Sequence, residues 1–276
     1  SWNSRASRSL IALCHRIHRM QAVYWNAMSV TSSISAASPM RGVSSFTLKV
    51  VAIVGMTFNH ACYIFYPYLP AEALLLLFGF GGLTFPIMAF LLVEGYHHTS
   101  NIKRYAGRLL AFALVSQVPY GLFLAHNLNV LFTLFIGLGI LYLYDTMESR
   151  GGFWLAAAAL VTASALCDWG IIGPLMILMM QTIPERRQRI ILPLLVPILG
   201  TGLPALSDYL TSFDLTLLPF ALYPLVGCTA AIPLLLAYNG SRGRPMKWFF
   251  YAYYPLHILV LGVAKGLLLG DWSPGL

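Results

Sequence analysis

Residues 73–96 read ALLLLFGFGGLTFPIMAFLLVEGY, and Glu94 is the single charged side chain among them. As a helix rising about 1.5 Å per residue, such a run crosses the roughly 30 Å hydrocarbon core of a bilayer. Outward from this window the same character recurs. Apolar windows begin near Phe46, Ala73, Leu109, Asn129, Phe153, Ile171, Ile190, Leu215 and Trp248. Basic gaps hold Lys103, Arg104 and Arg108, then Arg150, then Arg186, Arg187 and Arg189, then Arg242, Arg244 and Lys247. The gaps that alternate with them, at 67–72, 126–128, 167–170 and 207–214, contain neither Lys nor Arg. Because Lys and Arg accumulate in cytoplasmic loops, this alternation predicts an all-α, polytopic membrane helix bundle of about nine transmembrane helices (eight to ten) with a cytoplasmic N-terminus. Lys265 alone breaks the pattern, and its long stem predicts snorkelling to the outer interface.

Composition agrees. The chain is 58% hydrophobic and 9% charged, whereas soluble domains carry about 25% charged residues. The net charge of +8 is explained by topology, with anionic headgroups as counter-charge. A nucleic-acid partner is not expected, since the aromatic residues sit inside apolar windows rather than on a soluble basic face. Cys14, Cys62, Cys167 and Cys228 have no CxxC spacing, so neither a disulfide framework nor a metal cluster is predicted. The Gly79-Phe80-Gly81-Gly82 run lacks the Lys of a phosphate-binding loop and reads as a site of close helix packing.

Two regions divide the chain: a basic arm over 1–45 and a transmembrane helical domain over 46–270. The arm is rich in Ser, Arg and His, and no acidic residue precedes Glu72. Its apolar and basic residues suit an amphipathic surface helix or an organellar transit peptide. The preferred expectation is an unstructured leader, with Met40 as a candidate beginning. Within the domain, Pro86 predicts a bend in the second span, Pro174 a tilted or re-entrant sixth, and Pro193, Pro197 and Pro204 an interrupted seventh. The stretch 215–238, with Pro219, Pro224 and Pro233, reads as one broken helix or two short ones.

Ionisable and amide side chains at membrane depth each cost about 2.5 to 3.5 kcal/mol at mid-span unless they face protein or water, so the few present are informative. Asn59 and His60 lie in the outer half of the first span, Glu94 near the inner end of the second, Gln117 in the third, and Asn129 and Thr133 at the start of the fourth. Asp168 caps an outer turn, and His257 lies midway along the last span, two residues after Pro255. Asn59 and His60 point about 100° apart on a helix, so at least one looks into the bundle. Glu94, His97 and His98 have helical spacing without the HExxH pattern, and no metal is expected there.

The run Phe85-Pro86-Ile87-Met88-Ala89-Phe90-Leu91-Leu92-Val93-Glu94-Gly95-Tyr96, then His98-Thr99-Ser100-Asn101-Ile102-Lys103-Arg104-Tyr105 and Arg108-Leu109, resembles the TraX family of conjugation-associated proteins linked to pilin N-acetylation. Leu48-Lys49, Asn59-His60, Ser116-Gln117-Val118-Pro119, Asn129 to Leu134 and Tyr254-Pro255-Leu256-His257 keep the family's order over roughly 46–260. The resemblance implies a bacterial cytoplasmic-membrane acyltransferase that takes acetyl from cytoplasmic acetyl-CoA to a pilin N-terminal amine, another peptide amine or a hydroxyl acceptor. Two places depart from the family pattern. Asn59 stands where Asp usually precedes the histidine, and Gly82-Leu83-Thr84 stand where an Arg commonly precedes Phe-Pro.

Acyl transfer from a thioester needs a base for the acceptor proton and a donor for the developing oxyanion. His60 is the expected base and His257 its partner or an acyl relay. Either Asp168 supplies from the outer turn the charge that Asn59 lacks, or the chain is a weak or diverged enzyme. Asn59, Gln117 and Asn129 are the candidate donors, with Thr133 and Glu94 as further substrate contacts. Lys103, Arg104, Arg108, Arg186 and Arg187 are expected to hold the anionic part of coenzyme A. A permease, or a non-enzymatic assembly factor retaining the fold, are the alternatives.

Overall fold

The computed structural model describes residues 42–275; the expectations for the arm therefore lie outside the described residues, apart from its last four positions. Among the described residues every regular element is helical. The helices are α1 (Ser45–Ile64), α2 (Ala71–Gly81), α3 (Thr84–His98), α4 (Ile102–Phe123), α5 (Val130–Thr146), α6 (Arg150–Ala163), α7 (Ile172–Thr182), α8 (Gln188–Pro197), α9 (Leu203–Ser212), α10 (Leu218–Leu236) and α11 (Lys247–Leu269). Polar caps begin several of them: Ser44 Oγ accepts from Thr47 N at 3.2 Å, Asn101 Oδ1 from Arg104 N at 2.8 Å and Ser149 Oγ from Gly152 N at 3.1 Å.

Six continuous helical stretches are long and apolar enough to cross a membrane: 45–64, 71–98, 102–123, 188–212, 218–236 and 247–269. The protein is thus an integral membrane protein. The windows that open near Asn129, Phe153 and Ile171 form shorter apolar helices, 130–146, 150–166 and 172–182. α7 is short because a turn over Cys167–Gly170, with Gly170 at positive φ, consumes its start. The irregularity in the second span falls at Gly81–Leu83, not at Pro86. Pro86 occupies the first turn of α3, where its missing N–H leaves no bond unmade. The interrupted seventh span continues from α8 to α9 through a π-helical segment, Ile198–Gly202, and 218–236 is a single helix with Pro224 and Pro233 inside it.

α3 is the hub, packing against α1, α5, α7 and α10, while α10 lies on α2 and α11 on α4 and α1. Contacts between loops define two ends. At one end Val43 N donates to Ala237 O (2.8 Å), Tyr96 Oη to Asp145 (2.7 Å) and Arg186 Nη2 to Leu236 O (3.1 Å), and His97 meets Gln181 (2.7 Å). The basic gaps flank these residues, so they gather on one face of the bundle. At the other end Asp168 N donates to Leu128 O (2.8 Å), Tyr68 Oη to Asp271 (2.9 Å) and Gly275 N to Phe123 O (2.9 Å).

Lys265 does not snorkel. It is 2% exposed, paired with Asp271 at 3.0 Å, and donates to Ser273 O at 3.1 Å. The segment after α11 folds back and brings a carboxylate to the ammonium, which removes the need to reach the interface.

Candidate active site

α1 and α11 pack side by side and carry the two histidines that sequence separates by 197 positions. His60 Nδ1 lies 2.6 Å from His257 Nε2, and the rings stack with centroids 4.9 Å apart. Tyr254 packs edge-on against both rings. Pro255 lacks the amide that would bond one turn back, and in this turn the Tyr253 carbonyl oxygen accepts from His257 Nδ1 at 2.8 Å. A carbonyl only accepts, so His257 Nδ1 carries hydrogen and its Nε2, in the neutral ring, is an acceptor. His60 Nδ1 is then the donor. That assignment leaves the lone pair of His60 Nε2 without a hydrogen-bond partner among the described residues.

His60 lines a cavity of about 620 Å³, within the range of small-molecule sites. Lys49, Arg104, Arg108, Arg242 and Lys247 line it at the end where the basic gaps gather, with Glu94 on the nearby wall. Lys49 Nζ sits 5.6 Å from the Phe250 ring centroid and the Arg108 guanidinium 5.8 Å from that of Tyr105, placing aromatic faces beneath two cations. Asn59, His60, Asp168, Trp169, Tyr223 and Tyr254 line the deep part. From Lys49 to His60 is eleven residues of α1, about 16 Å at 1.5 Å per residue.

Asp168 sits in the turn between α6 and α7, within electrostatic reach of Tyr63, Tyr120, Tyr223 and Tyr254. Burial pushes its carboxyl from 3.8 up to about 6. Between those values the folded protein keeps a proton that the unfolded chain has lost, so stability falls as pH rises toward 6. Asp168→Asn is therefore expected to melt higher than the parent above pH 6, by on the order of 2 kcal/mol, and to match it below about pH 4. Melting curves across that range check this; a constant offset at every pH would refute it.

The other expected residues divide. Arg104, Arg108 and Glu94 line the cavity, whereas Lys103 and Arg187 are exposed away from its lining and Arg186 caps the end of α10. Gln117 and Asn129 form a closed set outside the cavity lining: Gln117 Nε2 donates to Asn127 O (2.8 Å), and its Oε1 accepts from Asn129 N (3.0 Å) and Nδ2 (2.8 Å). Asn129 Nδ2 also donates to Ala113 O, and its Oδ1 accepts from Leu131 N. Thr133 is buried next to Cys167. His98 Nδ1 donates to the Glu94 carbonyl oxygen at 2.7 Å, so His97 and His98 turn to different partners. Lys49, Arg242 and Lys247 were not assigned to the mouth by sequence reasoning, although the last two belong to a basic gap on the same face.

The sequence profile of a family described as TraX protein matches residues 44–265. The chain is 32% identical over 243 residues to the probable fimbrial assembly protein FimC, serogroup H1, of Dichelobacter nodosus, covering 82% of this chain and 97% of that protein. No solved structure matches.

Proposed function

The chain belongs to the TraX family, and we propose that it is an acyltransferase of the bacterial cytoplasmic membrane, moving acetyl from cytoplasmic acetyl-CoA to a pilin N-terminal amine or a related amine or hydroxyl acceptor. The observation that carries this reading is the unpartnered Nε2 of His60, held at depth in a cavity whose mouth is cationic. Mouth cations suit the phosphates of coenzyme A. The distance from Lys49 to His60 suits a long pantetheine arm. The fimbrial relative supports an acceptor connected with pilus assembly. The basic face is read as cytoplasmic from its Lys and Arg.

In the proposed step the acceptor nitrogen or oxygen attacks the thioester carbonyl carbon while His60 Nε2 removes its proton. The new bond to carbon forms, the carbon–sulfur bond breaks, and its electron pair leaves on sulfur. His60 then returns the proton to the thiolate. His257 accepts from His60 Nδ1 throughout, which steadies the imidazolium that forms.

Purified protein in lipid is expected to transfer label from acetyl-CoA to an amine-bearing peptide and to be stabilised against heat by coenzyme A. Arg104→Ala combined with Arg108→Ala is expected to raise KM for acetyl-CoA by about 10- to 100-fold, with kcat little changed, because charge-assisted contacts to phosphate bind ground and transition states alike. Solute flux in proteoliposomes without acyl-CoA consumption would instead support the permease reading.

A further inference from the structure

Three residues of the cavity lining carry a buried polar atom with no hydrogen-bond partner among the described residues: Asn59 Nδ2, Arg108 Nε and Tyr254 Oη, of which only the first is an amide. Asn59 is 8% exposed, lines the cavity next to His60, and its Nδ2 has no hydrogen-bond partner. Leaving such a donor unmet is costly, and a buried orphan amide on a ligand-sized cavity points to a ligand acceptor. Gln117 and Asn129, the other candidate donors, already commit hydrogens to structure: Gln117 Nε2 donates to Asn127 O, and Asn129 Nδ2 donates to Ala113 O and Gln117 Oε1.

The position of the Asn59 amide is built by its neighbour. A Cβ on Gly81 would lie 2.7 Å from Asn59 Cβ and 3.1 Å from Nδ2, so the glycine at the α2–α3 break makes the room in which the amide sits. Asn59 and His60 are adjacent on α1 and both border the same space, which allows one reacting group to meet the base and the amide together.

We propose that Asn59 Nδ2 donates the hydrogen bond to the carbonyl oxygen of the acyl donor, strengthening as that oxygen gains negative charge. The assignment rests on the acyltransferase reading. An ionised Asp at this position accepts only and would repel the charge, so the residue that departs from the family pattern takes a donor role here.

The test compares wild type with Asn59→Ala and the isosteric Asn59→Asp, each checked for folding by thermal melting. Both variants are expected to lose about 10²- to 10³-fold in kcat, the usual effect of removing one oxyanion donor, with KM for acetyl-CoA held within about twofold. Isotope-edited infrared spectra of bound acetyl-CoA labelled at the carbonyl carbon give a second readout. The band is expected to be downshifted in wild type and to return toward the free-thioester position in both variants. Wild-type turnover with unchanged kcat in Asn59→Ala, or an Asn59→Asp enzyme as fast as or faster than wild type, would overturn the donor role while leaving the acyltransferase reading intact. Failure of wild type to bind acetyl-CoA would overturn both. If Asn59→Ala does not fold, Asn59→Asp carries the comparison.

Discussion

Purified His60→Ala protein is expected to lose acetyl transfer by about 10²- to 10⁴-fold, the range contributed by a positioned general base, while retaining its fold and its stabilisation by coenzyme A. Two features separate this outcome from simple damage. The imidazole lost is in the deep part of the cavity, whereas Lys49, one of the cations expected to hold the donor, stands about 16 Å away along α1, so donor binding is spared. The main local cost is that His257 Nε2 loses its hydrogen-bond donor at 2.6 Å, worth about 1 to 3 kcal/mol for a buried acceptor. Added imidazole is expected to restore part of the activity, because the space vacated opens onto a cavity of about 620 Å³. His257→Gln is expected to retain more activity than His257→Ala, since a glutamine carbonyl can still accept from His60 Nδ1. Transfer at the wild-type rate in His60→Ala would remove His60 from the mechanism.

The helical windows and the gathering of basic gaps were legible because hydrophobicity and Lys/Arg placement are local properties of the sequence. The meeting of His60 with His257 was legible in kind: isolated imidazoles at depth need protein partners, and each was the other's most suitable one. Which amides are spent on structure was not legible. Gln117 and Asn129 have the same residue chemistry as Asn59, and only the corner between α4 and α5 shows their hydrogens committed. Charge counting likewise placed Arg242 and Lys247 on the correct face but could not show that they, rather than Lys103 and Arg187, enter the mouth. That depends on how the segment before α11 folds onto α1. Pro86 misdirected the position of the helix irregularity because a proline's effect depends on where the helix begins, and the close approach at Gly82 sets that boundary.

That approach carries the remaining prediction. A Cβ on Gly82 would fall on the Tyr223 carbonyl oxygen, and one on Gly227 would fall on the backbone of Gly82. The backbones of α2 and α10 therefore touch at this point. Lipid provides no hydrophobic drive for helices to associate, so contacts of this kind supply much of the packing. The same contact positions chemistry, because Tyr223 packs against Trp169 with centroids 5.9 Å apart, Trp169 stacks on Phe85 at 4.1 Å, and all three line the cavity. Gly82→Val must move α10 away from α2 or collapse the turn before α3, and either change carries the cavity wall with it. It is expected to yield little monodisperse protein and, in what is recovered, a large drop in melting temperature. Gly139→Ala on α5 is the control: a Cβ there meets nothing within 4 Å, and helix propensity favours alanine by up to about 1 kcal/mol. Gly82→Val protein that purifies normally and melts within about 2 °C of wild type, less than ~1 kcal/mol for a chain of this size, would show that α2 and α10 do not meet as described.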